Sequence, residues 1–295
     1  MNSIVSQSRR IVTIVMWCAA ALAEAPDLTP LLPAPTPDTK AIREALLAGD
    51  ANDAKRLVES LAPQTRLLWR GILAIVSNDS HAAIRALRQS DEPKLLGVAY
   101  YLARQYLLFR DQMVKAIRRN PNDFGPYYYL GRSYNSDLDN AEEAEHWFRE
   151  AVRRNPGFER ARAHLGNCLE LLGRTGEAEA EYRAAASIPL AQLGLARLRR
   201  AAGDAAGALA LVEKAQAGDP LNAAAPKLAA RVYSALNRPR DSIHSLETAA
   251  VLDPRDASTQ YQLYRAYQSV GDTVKAASAL RELEYLRAVY GLQPR

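Results

Sequence analysis

Apolar residues recur three and four positions apart along most of this chain. Between Phe124 and Pro156, Tyr127, Leu130, Gly131 and Tyr134 stand at i, i+3, i+4 and i+7, and Ala144, Phe148 and Ala151 resume the stripe after a polar break. That spacing predicts two amphipathic helices joined by a turn. The next stretch repeats it with Leu165, Gly166 and Leu169, then Gly173, then Ala178, Tyr182 and Ala185. Small residues in each stripe let two helices approach closely, and large ones fill the space beside them. Gly173, Gly203 and Gly271 fall between stripes, where a left-handed residue ends a helix.

The stripes are punctuated at a fixed period. Ala116-Ile117-Arg118-Arg119-Asn120-Pro121 returns as Ala151-Val152-Arg153-Arg154-Asn155-Pro156, 35 residues later. Ala215 with Asp219-Pro220 and Ala249 with Asp253-Pro254 are 34 residues apart. Proline lacks an N–H and clashes with the preceding turn, so each one closes a unit. A period of this length is the mark of a repeat protein.

The pattern resembles the tetratricopeptide repeat family through Tyr127, Leu130, Gly131, Tyr134, Ala144, Phe148, Ala151 and Pro156, with one extra residue in the turn. Tyr233, Leu246, Ala249 and Pro254 carry it in the unit from Ala223, and Leu263, Tyr267, Gly271, Ala276 and Leu280 in the unit from Ala257. The resemblance implies an all-α fold, a right-handed α-solenoid or superhelix of antiparallel helix pairs, with repeats over residues 122–290 including a C-terminal end helix. Residues 291–295 read as a tail.

Upstream the family pattern fades while the helix-pair rhythm continues. Leu96, Gly97, Tyr100, Ala116 and Pro121 stay in phase, but Phe109 stands where a small residue is expected. Residues 38–89 fit two shorter pairs, Ile42 to Leu47 with Ala54 to Leu61 and Leu67 to Val76 with Ala82 to Leu87. Residues 38–121 are therefore expected to be degenerate repeat-like pairs, or unrelated helices capping the array. Pro26, Pro30, Pro33, Pro35 and Pro37 make residues 24–37 a proline-rich linker, expected to be an extended spacer.

Residues 1–23 read as a cleaved signal peptide. Arg9 and Arg10 precede an apolar run from Ile11 to Ala20, and Ala21-Leu22-Ala23 offers small residues for cleavage. The run is shorter than the roughly 20 residues a membrane-spanning helix requires. Val12 and Thr13 do not continue a twin-arginine motif, and Trp17 argues against lipidation at Cys18. An uncleaved interfacial anchor is the competing reading. Export places the mature chain in the periplasm or outside the cell, with no integral membrane span after cleavage.

Composition and scattered chemistry narrow the function. The formal charge of +5 includes Arg9 and Arg10 of the leader and is too mild to argue for nucleic acid. Without Cys18 the chain keeps one cysteine, Cys168, on a helical apolar stripe with no evident base beside it. His81, His146, His164 and His244 are scattered, and no spacing presents two metal ligands on one helix face. Carboxylates such as Glu142, Glu143 and Glu145 fall on outer helix faces, and every glycine has a turn or helix-contact explanation. The expectation is a chain with no catalytic residues, no metal and no cofactor.

The resemblance implies a concave face lined by fixed positions of each first helix. Those positions carry Tyr128, Arg132, Asn167, Arg197, Arg200, Lys227, Arg231, Tyr261 and Arg265, with Ala163 and Leu193 at the same position as Tyr128. Arg197, Arg231 and Arg265 are 34 residues apart and are expected to stack as a ladder. Arginine forks suit carboxylates, so the implied partner is a protein or peptide with an acidic or C-terminal segment. Plain solvated helix faces are the alternative. Ala163 departs from the lysine of the carboxylate-clamp pattern, which argues against a chaperone-tail binder. The expected function is a protein-interaction scaffold of the cell envelope. An adaptor or regulatory subunit of an envelope enzyme, export or assembly complex is the second reading.

Overall fold

A computed structural model describes residues 30–134 and 140–290, and every regular element among them is helical, sixteen helices in all. The predicted leader and tail lie outside the described residues. Among the described residues no helix is long and apolar enough to cross a membrane. The chain divides into two compact units, residues 1–161 and 162–295.

The first unit holds four helix pairs: α1 (Lys40–Leu47) with α2 (Ala51–Glu59), α3 (Pro63–Val76) with α4 (Ser80–Leu87), α5 (Pro93–Leu102) with α6 (Tyr106–Arg119), and α7 (Phe124–Tyr134) with α8 (Ala141–Arg154). Helix α9 (Glu159–Leu171) begins just before the division. The second unit continues with α10 (Thr175–Ala184) and pairs α11 (Pro189–Ala201) with α12 (Ala205–Gly218), α13 (Ala224–Ala235) with α14 (Pro239–Leu252), and α15 (Ala257–Ser269) with α16 (Thr273–Tyr290).

Two turn chemistries alternate. Between pairs, Asn120, Asn155, Asp219 and Asp253 cap their helices in extended backbone, ψ 81–91°, and each donates its N–H to the alanine four residues back. Each precedes a proline, whose ring excludes helical geometry from the residue before it. Within pairs, a left-handed residue closes the first helix: Gly49, Gly173, Gly203 and Gly271 take φ of +75 to +83°. Asn78, Arg104 and Asn237 hold the same turn without glycine. Asp50, Asp79, Asp204 and Asp272 follow four of these residues, and their carboxylates accept the amide three residues on at 2.8–3.0 Å, capping the second helix.

One contact recurs inside the pairs. A Cβ added to Gly131 would strike the ring of Phe148, and one on Gly166 the ring of Tyr182. Gly97 meets Met113 in the same way, and Gly71 meets Leu87. Each glycine thus opens the first helix to one large side chain of the second. The last two lie in the stretch where the family pattern fades, so the packing rule outlasts the motif. Phe109, at a position expected to be small, is fully buried, with its ring against Tyr101 at 5.3 Å between centroids.

The segment expected to be an extended spacer is packed into the protein at residues 30–32. Pro30, Leu31 and Leu32 are buried, Leu31 at 1% and Leu32 at 7% exposure, and Arg43 of α1 donates to the Pro33 carbonyl at 2.9 Å. Residues 34–38 are exposed. Proline keeps the segment out of a helix, but the two leucines gain too much from burial to remain in water.

Candidate binding cleft

Three first helices and one second helix of the second unit border a cleft of about 650 Å³. Its floor includes Ala230 of α13 with Ser242 and Leu246 of α14, all buried. Ser242 donates to the Ala230 carbonyl at 3.0 Å, and its hydroxyl lies 2.9 Å from that of Ser234, so α13 and α14 are tied together at the floor. The rim is Arg200 of α11, Arg231 of α13, and Tyr261 and Arg265 of α15, all exposed. Arg231 and Arg265 stand one repeat apart, so stacking the helices presents them on the same side.

The electrostatics of this rim are one-sided. No aspartate or glutamate lines the cleft, and among the described residues Arg200, Arg231 and Arg265 form no ion pair. Some other arginines are engaged: Arg162 holds Glu181 at 2.8 Å, and Arg154 holds Glu150 at 2.6 Å while lying over the Tyr127 ring. Three guanidinium groups without carboxylates leave the cleft ready to take an anionic group.

Arg197, placed in the ladder by its spacing, is committed elsewhere. It lies one helical turn before Arg200, and its Nε and Nη2 reach the two Glu170 oxygens at 2.8 and 2.6 Å. Nη2 also donates to the Tyr182 hydroxyl at 3.1 Å and to Asn167 Oδ1 at 3.4 Å, and that hydroxyl donates to Glu170 at 2.7 Å. The network joins α9, α10 and α11. Burial disfavours the Glu170 carboxylate, but its bonds to Arg197 outweigh this and hold its pKa below the usual range. Burial likewise opposes the Arg197 cation, and the Glu170 bonds overcome it, raising its pKa. Burial pushes the Tyr182 phenol well above its ordinary value. Asn167 and Arg197 are therefore structural partners of one another.

Lys227 is corrected in the same sense. Its Nζ meets Asp256 Oδ2 at 3.0 Å, tying α13 to the cap of α15, where Asp256 accepts the Ser258 amide. Lys94 and Asp123 form the equivalent bridge in the first unit at 2.7 Å. Tyr128 is 2% exposed and packs edge-on against Tyr129 and Phe158 at 5.4 and 5.0 Å between centroids, so it belongs to the core. Ala163 and Leu193, at the matching position, are buried too. Arg132, on α7, is half-buried and engaged by its neighbours. Of the sequence-derived site residues, the cleft brings together Arg200, Arg231, Tyr261 and Arg265. The serines and Gln262 that complete its wall carry no distinguishing signal in the sequence.

Among the described residues no group of three or more His, Cys, Asp or Glu is arranged to hold a metal ion, and Cys168 is fully buried.

Residues 125–158 and 159–192 each match the tetratricopeptide repeat family. No curated protein matches the chain. Among solved structures, the Cut9–Hcn1 hetero-tetramer of APC/C is similar at a TM-score of 0.66 and 14% identity, over 83% of this chain and 52% of that one. The human IFIT1 dimer with PPP-AAAA is similar at 0.61 and 16% identity, over 94% of this chain and 72% of that one. The chain thus spans about half of the first protein's length, and at these identities the likeness is one of fold.

Proposed function

We propose that this tetratricopeptide-repeat protein is a protein-interaction scaffold that grips an acidic segment or C-terminal carboxylate of its partner in the cleft around Arg200, Arg231 and Arg265. The observation that carries this reading is that three guanidinium groups share one cleft and none is matched by a carboxylate. A planar guanidinium bonds a carboxylate through two parallel N–H groups, which fixes orientation as well as charge. The Tyr261 ring gives an apolar edge for the segment's side chains. The partner meets the cleft in the cell envelope if residues 1–23 act as an export signal. The chain contributes affinity and no chemistry of its own.

The test uses the full chain and the triple variant Arg200→Glu, Arg231→Glu, Arg265→Glu. Arg197 is left intact because its reversal would break the Glu170 network. Partners are captured by crosslinking in the native host, and binding of a fluorescent glutamate-rich peptide with a free C-terminus is titrated in parallel. Loss of both with unchanged helical content supports the reading. Undiminished binding by the reversed chain overturns it. Envelope residence is tested separately by fractionating cells that express the chain with and without residues 1–23.

A further inference from the structure

The strap formed by Pro30, Leu31 and Leu32 is seated on a helix more than ninety residues away in sequence. The Pro30 carbonyl oxygen lies so close to Gly125, the second residue of α7, that a Cβ there would stand 2.8 Å from it. Asp123 and the Lys94 methylenes border the same spot, and the Lys94–Asp123 bridge frames it. The one side-chain hydrogen bond described from a helix to this segment runs from Arg43 to the Pro33 carbonyl. The strap is therefore held mainly by the burial of two leucines and by backbone fitted against a helix that lacks a side chain there. Such a contact has little that is specific to a covalently attached segment.

We propose that the face of the first unit around Gly125 is a second binding site, for a short proline-leucine segment, and that Pro30–Leu32 fills it in cis. A partner bearing such a segment binds by displacing the strap, so its apparent affinity is reduced by the fraction of chains with the strap seated. The site shares no residue with the arginine cleft, lies in the other unit, and stands or falls independently of it.

The probe is a fluorescent synthetic peptide with the sequence of residues 28–36. It is titrated against the intact full chain, the full chain carrying Leu31→Ser and Leu32→Ser, and that variant with Gly125→Ala added. The expected result is binding to the double variant at least about tenfold tighter than to the intact chain, and its loss when Gly125→Ala is added. A double variant that keeps its helical circular dichroism but does not bind the peptide overturns the proposal. So does equal binding by the intact chain, or binding that survives Gly125→Ala. Should the double variant lose its helical signal, Gly125→Ala alone in the intact chain decides the matter. Alanine suits the helix but collides with the strap, so proteinase K is expected to cut residues 30–36 several-fold faster with helical content unchanged. Unchanged cleavage there overturns the proposal.

Discussion

Arg197 and Glu170 are joined by two hydrogen bonds, Nε and Nη2 of the guanidinium meeting the two carboxylate oxygens at 2.8 and 2.6 Å across the α9–α11 contact. The Tyr182 hydroxyl closes a triangle with both. Its ring is clamped between Gly166 and Gly194, where any added side chain would collide with it. Three successive helices are thereby registered by one polar knot.

Removing one corner of this knot leaves the others partly buried without partners. Arg197→Ala is expected to cost about 2–3 kcal/mol, below the range for fully buried pairs because both side chains keep some contact with water. Replacing all three residues together, with Arg197→Met, Glu170→Leu and Tyr182→Phe, is expected to recover most of the loss. Urea denaturation of the single and triple variants checks both. Equal stability of the two sets the idea aside.

Acid is expected to loosen the second unit. Glu170 and Asp256 both titrate below their ordinary values of 4.5 and 3.8. For each, burial works in the opposite direction and is outweighed, by Arg197 for Glu170 and by Thr259 and Lys227 for Asp256. A depressed folded pKa gives stability that is fully present above the ordinary value and is lost as pH falls through the folded one. Thermal melts taken from neutral pH down through the carboxylate range should show the decline. Glu170→Gln should flatten its slope, and a slope unaltered by that change contradicts the assignment.

The glycine–aromatic packing gives a paired test. Gly166→Ala drives a methyl into the Tyr182 ring, which the knot prevents from moving, and is expected to cost about 1–3 kcal/mol. Gly176→Ala, in the first turn of α10 with open space around it, is expected to gain about 0.4–1 kcal/mol. Opposite signs in a denaturation experiment are the prediction, and matching signs refute it.

Arg104 occupies a left-handed turn position, φ +56°, where four other turns use glycine. Arg104→Gly relieves a Cβ clash worth roughly 1–2 kcal/mol and adds freedom to the unfolded chain, so a net gain of about 0.5–1 kcal/mol is expected. Asn237→Gly should change stability little, because asparagine tolerates this conformation. Chemical denaturation of the two variants side by side distinguishes them.

Binding at the arginine cleft should weaken with salt, since its rim groups are exposed and screened. Raising ionic strength from about 0.05 to 0.3 M is expected to reduce acidic-peptide affinity several-fold for the intact chain. The response should be flat for a chain in which Arg200, Arg231 and Arg265 are all replaced by glutamine, which removes the charge without reversing it. A salt-insensitive interaction would point away from the guanidinium groups.

The helices, their turns and their pairing were legible from residues close together in the chain. Proline after Asn120, Asn155, Asp219 and Asp253 dictates an extended residue before it, and apolar spacing dictates which face of each helix is buried. The cleft was only half legible. Position in the repeat marked Arg200, Arg231 and Arg265, which line one cleft, and by the same logic it marked Arg197, Lys227 and Tyr128. Those three are withdrawn by Glu170, by Asp256 and by the ring of Phe158, partners lying 27 to 30 residues away whose meeting depends on how the repeats stack.

Local backbone chemistry was therefore enough to determine that this chain is an array of helix pairs, because helix periodicity and turn stereochemistry act over a few residues. The tertiary structure decided which arginines are spent on holding repeats together and which, among the described residues, line a cleft without an ion pair. It also buried Pro30, Leu31 and Leu32 of the proline-rich segment. Both outcomes follow from burial and charge pairing between distant residues, which are properties of the packed array.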